Sequence, residues 1–395
     1  MGKPTKQNLN RSTRDVIIVG GGHVGLYAAS RLAEAGFETL LFDQKKEIGS
    51  PVICTGIIGD EAFRKFDLPE ITILGQIRQV RFYSPSDNYF DYAPKQTLAW
   101  VVNRTRFNRY FADQAARRGA AIETGCRVTG IRIKKDSVSV RVFQHDKESS
   151  YEAKVLILAT GVNYKLFEWV GLEPPSQFLL GAQIHIPYPA EDRTTVYLGR
   201  EVAPGAFAWI VPMTNGQARV GLLSERNPAH YLKRLLDRIR PGWRDDIAES
   251  QMDLRPVVQG PVEKSFSDRV LVIGEAAGQI KTTTGGGIYY GLLGAQMAVE
   301  TLKDAFRKSR FHANVLSPYE RRWKKAIGEE LRLGVYFRKL YAKLSDAQIE
   351  GLFERVSTEH ILNIAHREAD FDWHKSLITS IFKIPSFRKV FRQPF

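Results

Sequence analysis

The sequence predicts an α/β protein in which a discontinuous domain of mostly parallel strands receives an inserted antiparallel sheet and is followed by a C-terminal helical region. Strand and helix patterns alternate between residues 15 and 43, and the same alternation returns from residue 269. Between residues 172 and 256, short strand-like runs are separated by proline and glycine, which is typical of an antiparallel sheet. From Phe311 onward the chain is helical in pattern, basic and aromatic.

Composition places the chain among globular proteins of two or three domains. Of its 395 residues, 43% are hydrophobic and 25% are charged, as is ordinary for soluble domains. Cys54 and Cys126 have no CxxC spacing, which predicts a reducing compartment without structural zinc. Residues 1–14 are polar and basic and are expected to form a disordered tail. With no secretory pattern and no apolar run of about 18 residues, the expected location is cytoplasmic.

The N-terminal segment predicts a strand, a glycine-rich turn, a helix and a second strand. Asp15–Val19 is a β-branched run, and Gly20–Gly25 reads GGGHVG. Leu26–Ala35 is rich in alanine and leucine, and Glu38–Asp43 is again strand-like. In this context, and not alone, a GxGxxG pattern predicts dinucleotide binding.

Each glycine of this pattern has its own task. Gly20 permits the tight turn, Gly22 lets the backbone approach a pyrophosphate at the helix N-terminus, and Gly25 lets helix and strand pack closely. Asp43 ends the second strand, where a carboxylate accepts hydrogen bonds from ribose hydroxyls. A glycine-rich turn without function is the alternative, and it does not explain Asp43.

A second glycine-rich segment much later in the chain predicts that the dinucleotide is FAD. The strand-like run Arg269–Gly274 leads into Glu275, and Gly285–Gly287 then opens a helix. Free N–H groups and the positive end of a helix dipole suit the pyrimidine edge of a reduced, anionic flavin. Glu275 is expected to meet ribityl hydroxyls, and a plain loop with a glycine cap is the alternative.

The remaining pattern separates an FAD-binding domain from an inserted substrate domain. The other predicted elements are a helix over Phe107–Arg118, a hairpin over Ile131–Lys134 and Ser137–Phe143, and strands over Val155–Ala159, Leu180–Ile186, Thr194–Leu198, Phe207–Val211 and Ala218–Leu223. The predicted boundaries are 15–75, 102–171 and 256–310 for the Rossmann-like FAD-binding domain, 76–101 and 172–255 for the antiparallel-sheet substrate domain, and 311–395 for the C-terminal helical region.

Six stretches carry a resemblance to a known family: Asp15–Asp43, Pro51–Gly56, Val102–Phe107, Leu158–Gly161, Phe207–Pro212 and Val270–Gly294. Over residues 15–300 the sequence resembles the geranylgeranyl reductase family, within the larger group of flavoproteins similar to aromatic hydroxylases. The Cys54 motif and the aromatic-x-Trp-x-x-Pro motif are its most specific parts. His23, Asp43 and Glu275 stand where that family more often has Pro, Glu and Asp.

The resemblance implies further site residues. Arg104 would contact the cofactor, and the segment after Gly125 would pass the adenine. Phe207, Trp209 and Pro212 would line an isoprenoid site, although a strand face bearing Phe207 and Trp209 is equally compatible with ordinary core. The complete set of expected FAD-binding residues is Gly20, Gly22, Gly25, Asp43, Arg104, Val128, Gly161, Gly274, Glu275, Gly286 and Gly287.

Cys54 is the candidate catalytic residue. A thiol over the flavin would relay a proton or line the substrate channel, and a buried thiol that only fills space is the alternative. Cys126 has no motif around it and is expected in the core. His185 and His230 show no ligand spacing, so no metal site is expected.

The resemblance implies an FAD-dependent reductase that saturates carbon–carbon double bonds of an isoprenoid lipid chain by hydride transfer. A flavin monooxygenase or halogenase on the same scaffold and a flavin electron carrier are the alternatives. Only one GxGxxG follows a strand, so NAD(P)H would bind transiently, and a ferredoxin-type donor is the other option. Nucleic acid is not expected, because no nucleic-acid motif accompanies the net charge of +14.

The C-terminal end predicts a basic amphipathic helix that Pro385 ends. Its apolar residues share one helical face, which is typical of a helix on an anionic membrane surface. Packing of that face on the protein's own domain is the alternative. The apolar residues are Trp373, Leu377, Ile378, Ile381 and Phe382, and the cations are Lys375, Lys383, Arg388, Lys389 and Arg392.

Overall fold

A computed structural model describes residues 13–189, 191, 193–356, 359–385 and 387. Most of the predicted N-terminal tail, and Arg388, Lys389 and Arg392, lie outside the described residues. The strands of the described part are β1 (Arg14–Val19), β2 (Thr39–Phe42), β3 (Ile57–Gly59), β4 (Ile73–Ile77), β5 (Gln79–Tyr83), β6 (Tyr89–Tyr92), β7 (Ala99–Val102), β8 (Ala121–Glu123), β9 (Arg127–Ile133), β10 (Val138–Gln144), β11 (Lys147–Leu158), β12 (Phe178–Pro187), β13 (Arg193–Leu198), β14 (Phe207–Met213), β15 (Gln217–Ser224), β16 (Asp253–Val258), β17 (Phe266–Ser267) and β18 (Val270–Val272).

The helices lie mainly around the first sheet and in the C-terminal quarter of the chain. They are α1 (His23–Glu34), α2 (Asp60–Phe66), α3 (Arg104–Arg117), α4 (Pro228–Ile239), α5 (Ile288–Arg307), α6 (Ala313–Lys343), α7 (Asp346–Val356), α8 (Glu359–Glu368) and α9 (Lys375–Lys383). Among the described residues, none of these helices combines the length and apolarity that a bilayer crossing requires.

The first sheet has a parallel centre, in the order β18, β11, β1, β2 and β8. The β9–β10 hairpin joins it through an antiparallel pairing with β11, and β17 pairs antiparallel with β18. Because β18 returns to this sheet after the second sheet has been built, the Rossmann-like domain is discontinuous. The predicted fold class is confirmed in this respect.

β1 is apolar on both faces because both faces are covered. Val16 and Ile18 pack with α1 and α5, whereas Ile17 and Val19 pack with the β9–β10 hairpin and its neighbours. Fully burying such a side chain contributes about 1.5–3 kcal/mol. The strand is therefore a firm support for the glycine turn that begins at its carboxyl end.

The second sheet has the order β16, β12, β15, β14, β13, β5 and β6. Its pairings are antiparallel except that between β13 and β5, which is parallel because β5 enters from an earlier segment of the chain. Alternation along β14 sends Ala208 and Ile210 into a core under α4, and leaves Phe207 and Trp209 on the opposite face. That face looks toward the first domain.

The C-terminal helices connect the two sheets. α6 packs against α5, α7 covers the edge strand β6 through Phe353 and Phe90, and α9 packs on α6. Ile378 of α9 is only 6% exposed, and the Trp373 indole donates to Glu61 at 2.6 Å. For these two residues the structure favours packing on the protein itself over a free membrane-facing surface.

Candidate functional site

A cavity of about 1160 Å³ lies between the first and second sheets. One end is formed by the carboxyl ends of β1, β2, β11 and β18, which is where open α/β sheets bind their ligands. The other end is formed by β5, β13 and β14 of the second sheet. A segment just before and at the start of α9, residues 369–377, contributes to the wall between them.

The three predicted glycines of the first turn have distinct surroundings. Gly20 has φ +115°, and a Cβ there would lie 2.2 Å from the Ala159 carbonyl oxygen. A Cβ on Gly25 would lie 2.1 Å from the Gly20 carbonyl oxygen, so helix and strand touch here. Gly25 therefore acts in packing and does not line the cavity. A Cβ on Gly22 would meet nothing within 4 Å, and Gly22 faces the cavity, which leaves room for a phosphate against the backbone.

Asp43 closes the same end of the cavity. Its carboxylate accepts hydrogen bonds from the Gly21 N–H at 2.6 Å and the Lys45 N–H at 2.7 Å. These bonds fix the carboxylate beside the glycine turn, where its remaining lone pairs can accept from ribose hydroxyls. Val128 and Gly161 line this part of the cavity, as expected, and Cys126 does so too.

The second glycine loop faces the first across the cavity. The Lys281 N–H donates to the Gly286 carbonyl at 2.9 Å, and the Gly285 N–H donates to the Lys281 carbonyl at 2.8 Å, which folds residues 281–287 into a tight loop. α5 begins directly after Gly287, and among the described residues no side chain caps its first N–H groups. The uncapped N-terminus of α1 also borders the cavity. Two positive helix ends thus border the same cavity, which favours an anionic ligand there.

Arg104 and His23 are buried polar groups with spare donors. Arg104 Nη2 donates to His23 Nδ1 at 3.0 Å, and Arg104 is 6% exposed. Within the described residues, no group meets the geometry of a hydrogen bond with Arg104 Nε, Arg104 Nη1 or His23 Nε2. Burial, and after it the charge of Arg104, lowers the pKa of His23 well below its ordinary value. The ring is therefore neutral, and its Nε2 carries the proton and is a donor.

These observations fit FAD. Unpartnered buried donors are costly unless a ligand accepts from them, and here they border the cavity together with two uncapped helix ends and the open space over Gly22. A diphosphate and a flavin pyrimidine ring are acceptors of this kind. The residues in place to hold them are Gly22, Arg104, Glu275, Gly286 and Gly287.

Cys54 lies in a loop that arginines hold. Its Sγ accepts from the Gly56 N–H at 3.3 Å, and the guanidinium groups of Arg104, Arg219 and Arg255 all interact with it electrostatically. Arg219 donates to the carbonyl oxygens of Thr55 and Val102, and Arg255 donates to that of Ile53 at 2.8 Å. The loop is thereby fixed on both sides of the thiol.

Arg255 also reaches the second glycine-rich segment. Its Nη2 lies 2.5 Å from Glu275 Oε2. Although burial favours the neutral form, Glu275 and Cys54 keep the pKa of Arg255 above its ordinary value. Glu275, which was expected to meet the ribityl chain, therefore gives one carboxylate oxygen to Arg255. Sequence reasoning missed Arg219 and Arg255, and the available signal was a single arginine within each of two otherwise largely apolar strands.

The far end of the cavity is apolar. Phe207, Trp209 and Val211 alternate along β14 and line it, with the Phe207 and Trp209 ring centroids 5.8 Å apart. The Trp209 ring lies against Gly221, where a Cβ would approach the ring to 2.6 Å. Pro212 does not line the cavity, because it has the opposite parity on the strand. The other lining residues of this end include Ile77, Val80, Phe82, Leu98, Val196 and Leu198.

Two further expectations concern histidines and metals. His185 and His230 are not among the cavity-lining residues. Within the part of the chain that the structure describes, no group of three or more His, Cys, Asp or Glu side chains has the arrangement of a metal site.

Family comparisons agree with this geometry. Residues 61–301 match the family described as FAD dependent oxidoreductase, and residues 18–56 match an NAD(P)-binding Rossmann-like domain. Fold, site and family together define an FAD-binding oxidoreductase.

Comparison with curated relatives shows to which family of FAD-dependent oxidoreductases the chain belongs. The chain is 31% identical over 366 residues to digeranylgeranylglycerophospholipid reductase 2 of Methanothermobacter thermautotrophicus, covering 89% of this chain and 94% of that protein. It is 31% identical over 393 residues to digeranylgeranylglycerophospholipid reductase of Methanocaldococcus jannaschii, covering 96% and 97%. The protein belongs to the geranylgeranyl reductase family of FAD-dependent oxidoreductases.

Solved structures support the fold alone. A geranylgeranyl bacteriochlorophyll reductase-like protein from Thermoplasma acidophilum superposes with a TM-score of 0.83 at 24% identity, covering 94% of this chain and 99% of that one. A p-nitrophenol 4-monooxygenase from Pseudomonas putida gives a TM-score of 0.72 at 17% identity, covering 93% and 98%. The scaffold is therefore shared by reductases and monooxygenases.

Proposed function

We propose that the protein saturates carbon–carbon double bonds of an isoprenoid lipid chain by hydride transfer from reduced FAD. The observation that carries this proposal is the continuity of one cavity, from two glycine loops at one end to the apolar face of β14 at the other. A long apolar chain fits the second end, and its double bonds would then lie beside the flavin. The names of the curated relatives point to the same substrate class.

In this proposal the two glycine loops bind FAD, and Phe207 and Trp209 orient the chain. When bound and reduced, FAD supplies a hydride to one alkene carbon. Cys54 donates its thiol proton to the other carbon, so that the alkene gains two hydrogens. Arg104, Arg219 and Arg255 stabilise the thiolate that remains, and water returns the proton after the product leaves. The largely apolar wall keeps bulk water from the reacting carbons.

The test is anaerobic reduction of the FAD-loaded protein, followed by rapid mixing with geranylgeranyl compounds. We expect flavin reoxidation and a mass gain of two hydrogens for each saturated bond. A parallel arm mixes the reduced protein with oxygen and an aromatic substrate. Incorporation of oxygen or halide into a product would favour a monooxygenase or halogenase instead. Reoxidation by a protein acceptor alone would favour an electron carrier.

The electron donor would be NAD(P)H or a ferredoxin-type protein that docks transiently. The support is the single GxGxxG of the sequence, which FAD would occupy. Reduction rates with NADH, NADPH and reduced ferredoxin separate these donors directly.

The protein would meet its substrate at an anionic membrane surface. Asp370, Phe371 and Leu377 line the cavity, so the C-terminal segment borders the space that an apolar chain would enter. The basic residues that follow in the sequence would attract this edge to anionic lipids.

A further inference from the structure

A buried ion pair joins the flavin loop to the C-terminal segment. Lys281 Nζ lies 2.8 Å from Asp372 Oδ1, and the two side chains are 6% and 3% exposed. Lys281 Nζ also donates to the Phe371 carbonyl at 2.9 Å and lies 4.2 Å from the centroid of the Phe371 ring. Removing one partner of a buried pair leaves the other charge uncompensated.

The cation of this pair lies directly against the predicted flavin contact. The main chain of Lys281 forms the two hydrogen bonds that shape the loop through Gly285 and Gly286. A Cβ on Gly286 would lie 2.7 Å from Lys281 Cε and 3.4 Å from Lys281 Nζ. Lys281, Gly285 and Gly286 all line the cavity. Any change in the charge of Lys281 therefore acts at the flavin end of the cavity.

A second contact ties the same loop to the same segment. The Thr283 hydroxyl lies 2.5 Å from His374 Nδ1, and His374 Nε2 lies 3.1 Å from the Phe371 carbonyl. Burial, and after it the charge of Lys281, lowers the pKa of His374 to about 4, so the ring is neutral at neutral pH. His374 Nε2–H then donates to Phe371, and Nδ1 accepts from Thr283.

The segment that carries these groups is itself fixed. Tyr290 donates to the Asp372 carbonyl at 2.7 Å, and the Trp373 indole donates to Glu61. Glu330 accepts from the main-chain N–H groups of His374 and Lys375. The segment is thus held by α2, α5 and α6 independently of the ion pair.

We propose that residues 369–377 complete the flavin site and that Asp372 is a positioning residue, which cancels the charge of Lys281 beside the flavin and holds the glycine loop in place. The inference rests on FAD binding and is independent of the lipid substrate. Without the carboxylate, the Lys281 cation would lose its direct counter-ion beside the flavin, and would favour the reduced, anionic form over the neutral oxidised form.

The experiment compares Asp372→Asn with the wild-type full chain, using FAD affinity and midpoint potential as readouts. At the same applied potential, we expect the ratio of reduced to oxidised FAD to be at least tenfold higher in the variant than in the wild type. A tenfold change corresponds to about 30 mV for a two-electron couple. Glu330→Gln is the matched control, because it loosens the same segment and leaves the Lys281–Asp372 pair intact. It should leave the potential unchanged.

The double variant Lys281→Met with Asp372→Asn removes both charges and keeps the volume. It should return the potential to the wild-type value, and it also serves if the single variant fails to fold. An unchanged potential in Asp372→Asn, an equal shift in Glu330→Gln, or a shifted potential in the double variant would overturn the proposal. A wild-type protein that took up no FAD would instead contradict the cofactor assignment itself.

Discussion

Cys54 is held in a loop whose main-chain carbonyls accept hydrogen bonds from two arginines of different strands, Arg219 of β15 and Arg255 of β16. Replacing the thiol with a hydroxyl therefore changes the acidity of this side chain and leaves the arginine hydrogen bonds to the loop in place. We expect Cys54→Ser to slow substrate-driven flavin reoxidation at least about tenfold, since general acids contribute about 10²–10⁴-fold. Stopped-flow absorbance of the reduced protein measures this rate, and FAD content should not change.

Cys126→Ser is the control for that experiment. Cys126 is buried beside the Asp43 end of the cavity, and burial raises its pKa to about 11. Its substitution should leave the reoxidation rate unaltered. A Cys54→Ser protein with the wild-type rate would show that Cys54 only packs.

The lowered pKa of His374 predicts that the free energy of unfolding depends on pH. Its pKa of about 4 in the folded protein compares with about 6.5 in an exposed chain. Because the folded-state pKa is depressed, the unfolded state binds the proton first, so this contribution to stability is complete above the unfolded pKa. It is lost as the pH falls from the unfolded pKa to the folded pKa, and its full size is on the order of 3 kcal/mol.

The measurement is urea unfolding of the apoprotein between about pH 7 and pH 4. We expect the loss of stability on acidification to be smaller in His374→Gln than in the wild type. His23, whose pKa is also lowered by burial, contributes in the same direction and remains in both proteins. Identical acid losses in the two proteins would contradict the assignment.

Several residues that local motifs singled out lie together in the structure. Asp43, Cys54 and Arg104 all line the cavity. Lys281 and Asp372, in contrast, are 91 positions apart, and only tertiary packing brings them together. The sequence predicted that Pro212 lines the substrate site together with Phe207 and Trp209. Because successive residues of a strand point to opposite faces, Pro212 lies on the other face of β14.

At the scale of elements, Gly22 and Gly25 of the βαβ unit have different roles, and their substitution should have different effects. Gly22→Ala introduces a methyl group into open space, so the free energy of unfolding of the apoprotein should stay within about 1 kcal/mol of wild type. The same methyl group occupies the space where the backbone approaches a pyrophosphate. We expect FAD affinity to fall at least about tenfold, which is about 1.4 kcal/mol of binding free energy.

Gly25→Ala is the matched variant of the same helix. Its methyl group would meet the Gly20 carbonyl oxygen, so overpacking should cost about 1–3 kcal/mol of stability. Urea unfolding of the two apoproteins and FAD fluorescence titration separate the two effects. Equal stability loss in both variants would show that Gly22 is also a packing position.

The sequence predicts the apolar face of an amphipathic helix but does not predict what covers that face. The apolar face of α9 fits a membrane surface and a neighbouring helix equally well, because both offer an apolar environment to one stripe of side chains. In the structure Ile378 is buried, and Phe382 lies 6.1 Å from the Phe337 ring of α6. Periodicity therefore predicted the helix, and only the tertiary structure shows what covers it.

At the scale of the whole molecule, the two sheets and the C-terminal helices enclose one cavity, and each contributes a different part of it. The first sheet supplies the flavin end, the second sheet supplies the apolar end, and residues 369–377 supply the wall between them. These parts are not contiguous in the sequence, because the first domain is completed only after the second sheet has been built. Long-range pairings of this kind are not encoded in local patterns.

The charge of the whole molecule leads to the last prediction, which concerns membranes. Deleting residues 373–395 would remove His374 and Leu377 from the cavity wall, so the test substitutes Arg388, Lys389 and Arg392 with glutamine. Each cation near an anionic surface contributes about 1 kcal/mol, so losing three should weaken vesicle binding about 100-fold. Co-sedimentation with anionic and neutral vesicles at low and high salt measures the effect. In the control, the exposed residues Arg132, Lys135 and Lys147 of the β9–β11 region are substituted, which removes equal charge from another part of the fold. Equal losses in the two triple variants would indicate a general charge effect, and equal binding to neutral vesicles would exclude the electrostatic docking that we propose.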